Sequence, residues 1–101
     1  MSGVLVVLAN SVESRGDEFN DWYTGVHVPE ILDLPSFLSA RRFRLDRRAP
    51  TNSSHGYLTV YEVSDSAVAA AELQAAGQAG RLTMSDALDA EAVTQGFFTQ
   101  I

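Results

Sequence analysis

The stretch Phe19-Asn20-Asp21-Trp22-Tyr23-Thr24-Gly25-Val26-His27-Val28-Pro29 places apolar residues at 19, 22, 23 and 26. That is the i, i+3, i+4, i+7 spacing of a helix with one apolar face. Asp17 and Glu18, just upstream, suit the positive end of such a helix. Pro29 has no N–H and pushes Val28 toward extended geometry, so the helix is expected to stop or kink there. Gly25 weakens the same turn, and one more short turn is expected at 30–34 before Pro35 ends it. His27 thus falls on the apolar side near the expected helix end. It is one of two histidines in the chain.

Outward from this helix the pattern changes to strands. Residues 3–10 are β-branched and aliphatic and read as a buried first strand, followed by a polar loop at 11–16. Residues 37–46 read as a second strand. Its faces would be Phe37, Ser39, Arg41, Phe43, Leu45 and Leu38, Ala40, Arg42, Arg44, Asp46. Pro50, Asn52 and two serines mark 47–54 as turn chemistry, and a third strand follows at 55–63. Asp65 or Ser66 caps an alanine-rich helix at 67–76, which Gly77 and Gly80 are expected to interrupt. A further short helix is expected at 82–90, and 93–101 closes the chain as a fourth strand.

The order β-α-β-β-α-β in one domain spanning 1–101 predicts an α+β, ferredoxin-like fold. Its four-stranded antiparallel sheet would carry both helices on one face. The other face, with apolar and aromatic residues of its own, needs a cover. A second subunit, sheet against sheet, would supply it and make a dimeric α+β barrel.

With 101 residues of which 46% are hydrophobic, the chain can bury a modest core. A net charge of −6 argues against general nucleic-acid binding. The absence of cysteine excludes disulfides, thiolate metal sites and cysteine nucleophiles. The apolar run at 4–9 is too short to span a membrane and lacks a basic lead-in, so a cytoplasmic protein without membrane contacts is expected. Positive charge is concentrated at Arg41, Arg42, Arg44, Arg47 and Arg48, and lysine is absent. Such a cluster reads either as a solvated or dimer-facing strand, or as the source of a guanidinium that holds an anionic substrate group.

The run Phe19-x2-Trp22-Tyr23-x3-His27-x-Pro29, then Pro35-x-Phe37 and an arginine- and phenylalanine-bearing strand, resembles the EthD-like branch of the dimeric α+β barrel superfamily. The likeness covers about residues 4–63, and the second half matches in element order alone. It implies a homodimer of ferredoxin-like subunits with a pocket between helices and sheet. Members include cyclases, decarboxylases, isomerase-like enzymes and monooxygenases, several without metal or organic cofactor. By this resemblance His27 occupies the family's histidine position.

His27 titrates near neutral pH when unperturbed, and an aromatic-lined cavity would favour its neutral form as a general base. The competing reading is a histidine that satisfies carbonyls freed by Pro29. Trp22 and Tyr23 read first as core, while Tyr23 is also placed to polarise a substrate carbonyl. Phe19, Trp22, Asn10, Arg41 and Phe43 are the candidate substrate-binding residues, with Asn20 a weaker one. His55 reads as a turn residue, and two histidines without an acidic cluster give no metal site. Asp21 and Glu30 are expected to face solvent.

Three functions compete. The first is a cofactor-independent enzyme for cyclisation, isomerisation or decarboxylation of a small aromatic or polyketide-like carbonyl compound, with His27 and Tyr23 catalytic. The second is a non-catalytic homodimer that binds a hydrophobic metabolite. The third is a monooxygenase of the same superfamily. Its haem-degrading members use an Asn with a Trp and a His on the second helix, and residues 67–90 contain neither Trp nor His.

Overall fold

Strict alternation along the first strand sets the sheet. In β1 (Gly3–Ala9), Leu5, Val7 and Ala9 are buried while the residues between them are half-buried. The computed structural model describes residues 2–101. After β1 come α1 (Gly16–Trp22), a π turn (Tyr23–His27) and α2 (Val28–Leu32). β2 (Phe37–Arg44), β3 (Tyr57–Val63), α3 (Ser66–Gln78) and β4 (Thr94–Thr99) complete the order.

The strands pair antiparallel in the order β2-β3-β1-β4, so the most apolar strand is central. Leu5 lies opposite Tyr61 and Val7 opposite Thr59, which brings the buried residues of β1 and β3 onto one face. Ile31 and Leu34 from the first helical arm and Ala69 and Ala76 from α3 pack on that face with Leu5, Val7, Phe37, Tyr61 and Val63. Each large side chain buried here contributes about 1.5–3 kcal/mol. A second cluster, Ala9, Phe19, Trp22, Tyr23 and Ala87, lies at the α1 end. The chain is ferredoxin-like, with an antiparallel four-stranded sheet and helices on one face.

Three local expectations are corrected. The helix does not end at Pro29: residues 16–32 are helical throughout, and the π turn absorbs the proline. On β2, simple alternation fails because Leu38 and Ser39 together face Glu62, a bulge that returns Phe37 to the buried face with Ala40 and Arg42. Finally, α3 runs through Gly77 to Gln78, with Gly80 (φ +71) in the turn beyond it, and no α-helix forms at 82–90.

Side chains and distant backbone take up the hydrogen bonds that a helix at 82–90 would need. The Thr83 N–H donates to Glu30 at 2.7 Å and the Ala87 N–H to Ser85 Oγ at 3.1 Å. The Ala87 carbonyl accepts from Val12 at 2.7 Å, and the Asp89 N–H donates to the Asn10 carbonyl at 3.0 Å. The segment 81–89 is therefore irregular, with 87–89 bridged to 10–12, and a 3₁₀ turn follows at Ala90–Ala92.

No helix among the described residues is long and apolar enough to cross a membrane. The sheet's outer face leaves Leu38, Phe43 and Phe98 exposed, beside half-buried Val6 and Val60.

Candidate functional site

The π turn builds the site. The Val28 N–H donates to the Tyr23 carbonyl, an i→i+5 closure that holds one residue more than an α turn. Pro29 explains its position. A proline cannot donate to the carbonyl four residues back, here that of Gly25, and its ring crowds that oxygen. Widening the turn relieves both. The extra residue also re-phases the helix: Val26, expected inside, is exposed, while His27 lines the cavity on the apolar side expected for it.

Two rings then frame the imidazole. Trp22 stacks on it with centroids 4.7 Å apart and planes at 27°. Tyr23 meets it edge-on at 4.9 Å and 79°. Stacking five residues apart is a product of the wide turn, since an α-helix would set these two side chains on different faces.

These rings form one wall of a cavity of about 350 Å³ between helix and sheet. Leu5, Val7 and Ala9 of β1 and Tyr61 of β3 form the floor. Ile31 and Leu73 close one side, and the segment 81–92 with Leu82, Met84 and Leu88 closes the other. Val93 and Gln95 complete the rim. A larger, polar, open groove near Asn10, Arg44 and Arg47 lies elsewhere and lacks the histidine.

His27 is strongly perturbed. Burial pushes its pKa from the ordinary 6.5 down to about 4; the Glu30 carboxylate works against that shift and the Arg42 guanidinium adds to it. The imidazole is neutral at neutral pH. Its Nδ1 is buried without a hydrogen-bond partner, so Nε2 is the nitrogen left for a ligand. The Tyr61 hydroxyl is also buried, close to the Tyr23 phenol. Burial raises its pKa, with the nearby Tyr23 phenol adding to the effect, so Tyr61 stays protonated.

Glu30, expected in solvent, instead clamps the cavity wall. Its two carboxylate oxygens accept from the Thr83 N–H and Oγ1, each at 2.7 Å. The Trp22 Nε1–H donates to the Thr83 carbonyl at 2.8 Å. One residue of the irregular segment is thus held at three points by the helix that carries His27.

The other sequence candidates divide sharply. Trp22 and Tyr23 line the cavity with His27, whereas Phe19 is wholly buried behind them against Tyr57. Arg41 and Phe43 lie on the outer face of the sheet, where the guanidinium sits 5.7 Å from the Phe43 ring centroid. Neither reaches the cavity, because the Leu38 bulge fixes their side. Arg42 takes the helix side instead, 4.3 Å from the Tyr23 ring centroid and bonded to Thr24 Oγ1 at 3.0 Å. Asn10 is occupied as a turn clamp: its amide oxygen accepts from the Gly56 N–H at 2.7 Å and its NH₂ donates to the Ser54 carbonyl at 2.9 Å. Asn20 likewise donates to the Gly16 carbonyl at 2.9 Å. His55 sits in the turn, joined to Ser53. Among the described residues no group of three His, Cys, Asp or Glu is arranged for a metal ion.

Sequence reasoning missed Tyr61, Gln95, Glu30 and Thr83. Tyr61 and Gln95 were recoverable in principle, since each lies opposite a buried β1 residue, Leu5 and Val7 respectively. The Glu30–Thr83 contact spans 53 residues and has no local signal.

No protein-family model matches this sequence, and neither does any curated protein. Solved structures do. An EthD family protein from Bacillus halodurans superposes with a TM-score of 0.69 at 17% identity, covering 100% of both chains. A candidate monooxygenase from Shewanella loihica gives 0.74 at 12% identity, over 99% of this chain and 94% of the other. A dimeric ferredoxin-like protein of unknown function from a Jannaschia species gives 0.69 at 13%, over 99% and 100%.

These likenesses show a shared ferredoxin-like α+β fold. Identities this low establish architecture and leave the chemistry to the site itself. In this chain the cavity opens between the helical layer and the inner sheet face, and the exposed apolar residues lie on the opposite face.

Proposed function

We propose that this chain is a cytoplasmic, homodimeric enzyme that needs no cofactor and performs acid/base chemistry on a small aromatic or polyketide-like carbonyl compound. The observation that carries this reading is a neutral imidazole set in the wall of an apolar cavity that Tyr23 and Tyr61 also line. His27 Nε2 takes a proton from the carbon next to the carbonyl. The electron pair of that C–H bond moves onto the carbonyl oxygen as an enolate, toward which a tyrosine hydroxyl donates. Return of the proton at another carbon completes an isomerisation, and attack of the enolate carbon on a second carbonyl completes a cyclisation. The proton transfer creates imidazolium and enolate together, so the two charges offset each other in the dry cavity.

A base with a pKa of about 4 is weak. It suits an activated proton, flanked by a carbonyl and an aryl ring or by two carbonyls. The Glu30 carboxylate favours the imidazolium as it forms. A second copy of the chain is the proposed cover for Leu38, Phe43 and Phe98, in keeping with the dimeric Jannaschia neighbour.

A second reading, binding without turnover, is favoured by one feature: His27 Nδ1 has no carboxylate or carbonyl to orient it, as most catalytic histidines do. Deuterium uptake at C1 of 2-tetralone in D₂O, followed by NMR, separates the two. The wild-type chain accelerates uptake, and His27→Gln returns it to the uncatalysed rate while circular dichroism shows the fold intact. Undiminished exchange by His27→Gln rejects the base role, and absence of catalysis by the wild type favours binding alone.

A further inference from the structure

The cavity lining contains no Asp, Glu, Lys or Arg. This is notable in a chain with seven arginines, five of them between residues 41 and 48. The nearest of that group, Arg42, lies over the Tyr23 ring and does not line the cavity, and Arg41 is on the other face of the sheet. A carboxylate or phosphate entering this space would lose its hydration with no counter-charge to meet it, at a cost of several kcal/mol. His27 is neutral at neutral pH and provides none. The volume of about 350 Å³ is near the lower end of ligand pockets, which run from ~300 to ~1,000 Å³. It is sized for one or two rings.

One lining side chain can form hydrogen bonds without titrating and without being buried. Gln95 lies on β4 opposite Val7, on the inner sheet face, and it lines the cavity while being exposed, as does Met84. A primary amide both donates and accepts, so it can pair with a carbonyl or a hydroxyl. The walls around it are aliphatic or aromatic.

We infer that the substrate of this cavity is an uncharged one- or two-ring carbonyl compound, and that Gln95 is the specificity-determining residue that donates a hydrogen bond to its carbonyl oxygen. The inference rests on the reading of the His27 cavity as the substrate site and narrows it. Arginine-anchored acids, and with them decarboxylation of a free carboxylate, are disfavoured, leaving isomerisation or cyclisation of neutral carbonyl compounds.

Trp22 is the single tryptophan of the chain and lines the cavity, so its fluorescence reports occupancy. The test titrates the full chain at pH 7 with 2-tetralone and with 2-naphthoate, two-ring probes that differ in charge. The expected result is binding of 2-tetralone tighter by about tenfold or more. Gln95→Leu keeps a similar side-chain length at an exposed position and is expected to weaken 2-tetralone by about threefold to tenfold, the worth of one hydrogen bond. Its affinity for naphthalene, which has no polar group, should be unchanged. Equal or tighter binding of 2-naphthoate overturns the uncharged class, and unaltered 2-tetralone affinity in Gln95→Leu overturns the role of Gln95. Quenching by none of the probes overturns both. If 2-tetralone binds as expected but exchanges no deuterium, the base reading fails and this inference stands.

Discussion

Acidification isolates the energetic consequence of burying His27. The unfolded chain carries a histidine of ordinary pKa 6.5, and the folded chain holds it down at about 4. Between those values the unfolded state binds the extra proton and the folded state does not, so stability falls as pH falls. The stabilising contribution of the neutral form is complete above 6.5 and is lost progressively on the way to 4. At about 1.4 kcal/mol per pH unit, the loss amounts to about 3 kcal/mol. That is a large share of the ~5–15 kcal/mol that holds a domain together.

The assay is urea unfolding of the wild type and of His27→Gln at pH 8, 7, 6, 5 and 4. Carboxylates titrate in both proteins and cancel in the difference. Glu30 is the exception to watch, since its pKa is lowered mainly by Thr83 and only slightly by His27. The wild-type advantage over the variant should be level from pH 8 to 7 and then decline by about 3 kcal/mol by pH 4. A difference that stays level throughout would mean that His27 protonates as easily in the fold as outside it, and that the cavity does not desolvate the imidazole.

Three further outcomes are expected. Arg42→Leu removes the cation from the Tyr23 and Phe19 faces and should cost about 1 kcal/mol in thermal or urea unfolding. It should also raise the His27 pKa, read from the imidazole proton shifts, because Arg42 pushes that value down. Thr83→Val breaks the Oγ1 bond to Glu30 while retaining the backbone bond, and should speed hydrogen exchange selectively across 81–92. Asn10→Ala loses both turn bonds and should destabilise the chain by about 1–2 kcal/mol, with 2-tetralone affinity unchanged because Asn10 does not line the cavity.

The strands and their order were legible because period-two burial is written directly into β1 and β3, where every second residue is buried or nearly so. The apolar face of α1 was legible for the same kind of reason. What periodicity does not carry is a change of phase. The π turn moved Val26 out, and the bulge at Leu38 decided that Arg42 faces the helices instead of Arg41. Residues 82–90 contain good helix formers, yet contacts to Glu30, Val12 and Asn10 outweigh local propensity. The histidine and its aromatic neighbours were therefore readable one by one, while the residues that close the cavity around them depend on long-range pairing.

The wide turn has a consequence for how this chain is compared with others. Because it holds one residue more than an α turn, a relative with an unbroken α-helix here would run one position out of step beyond Trp22. Its cavity-facing residue would then align in sequence with Val26, and a histidine doing the same job would look absent. A single-residue gap placed between 23 and 27 restores the correspondence. Gly25, whose missing side chain would meet nothing within 4 Å, is the position at which such a deletion costs least packing. Histidines found or missed at this helix in distant barrels are thus best counted by spatial face, with the extra residue taken out first.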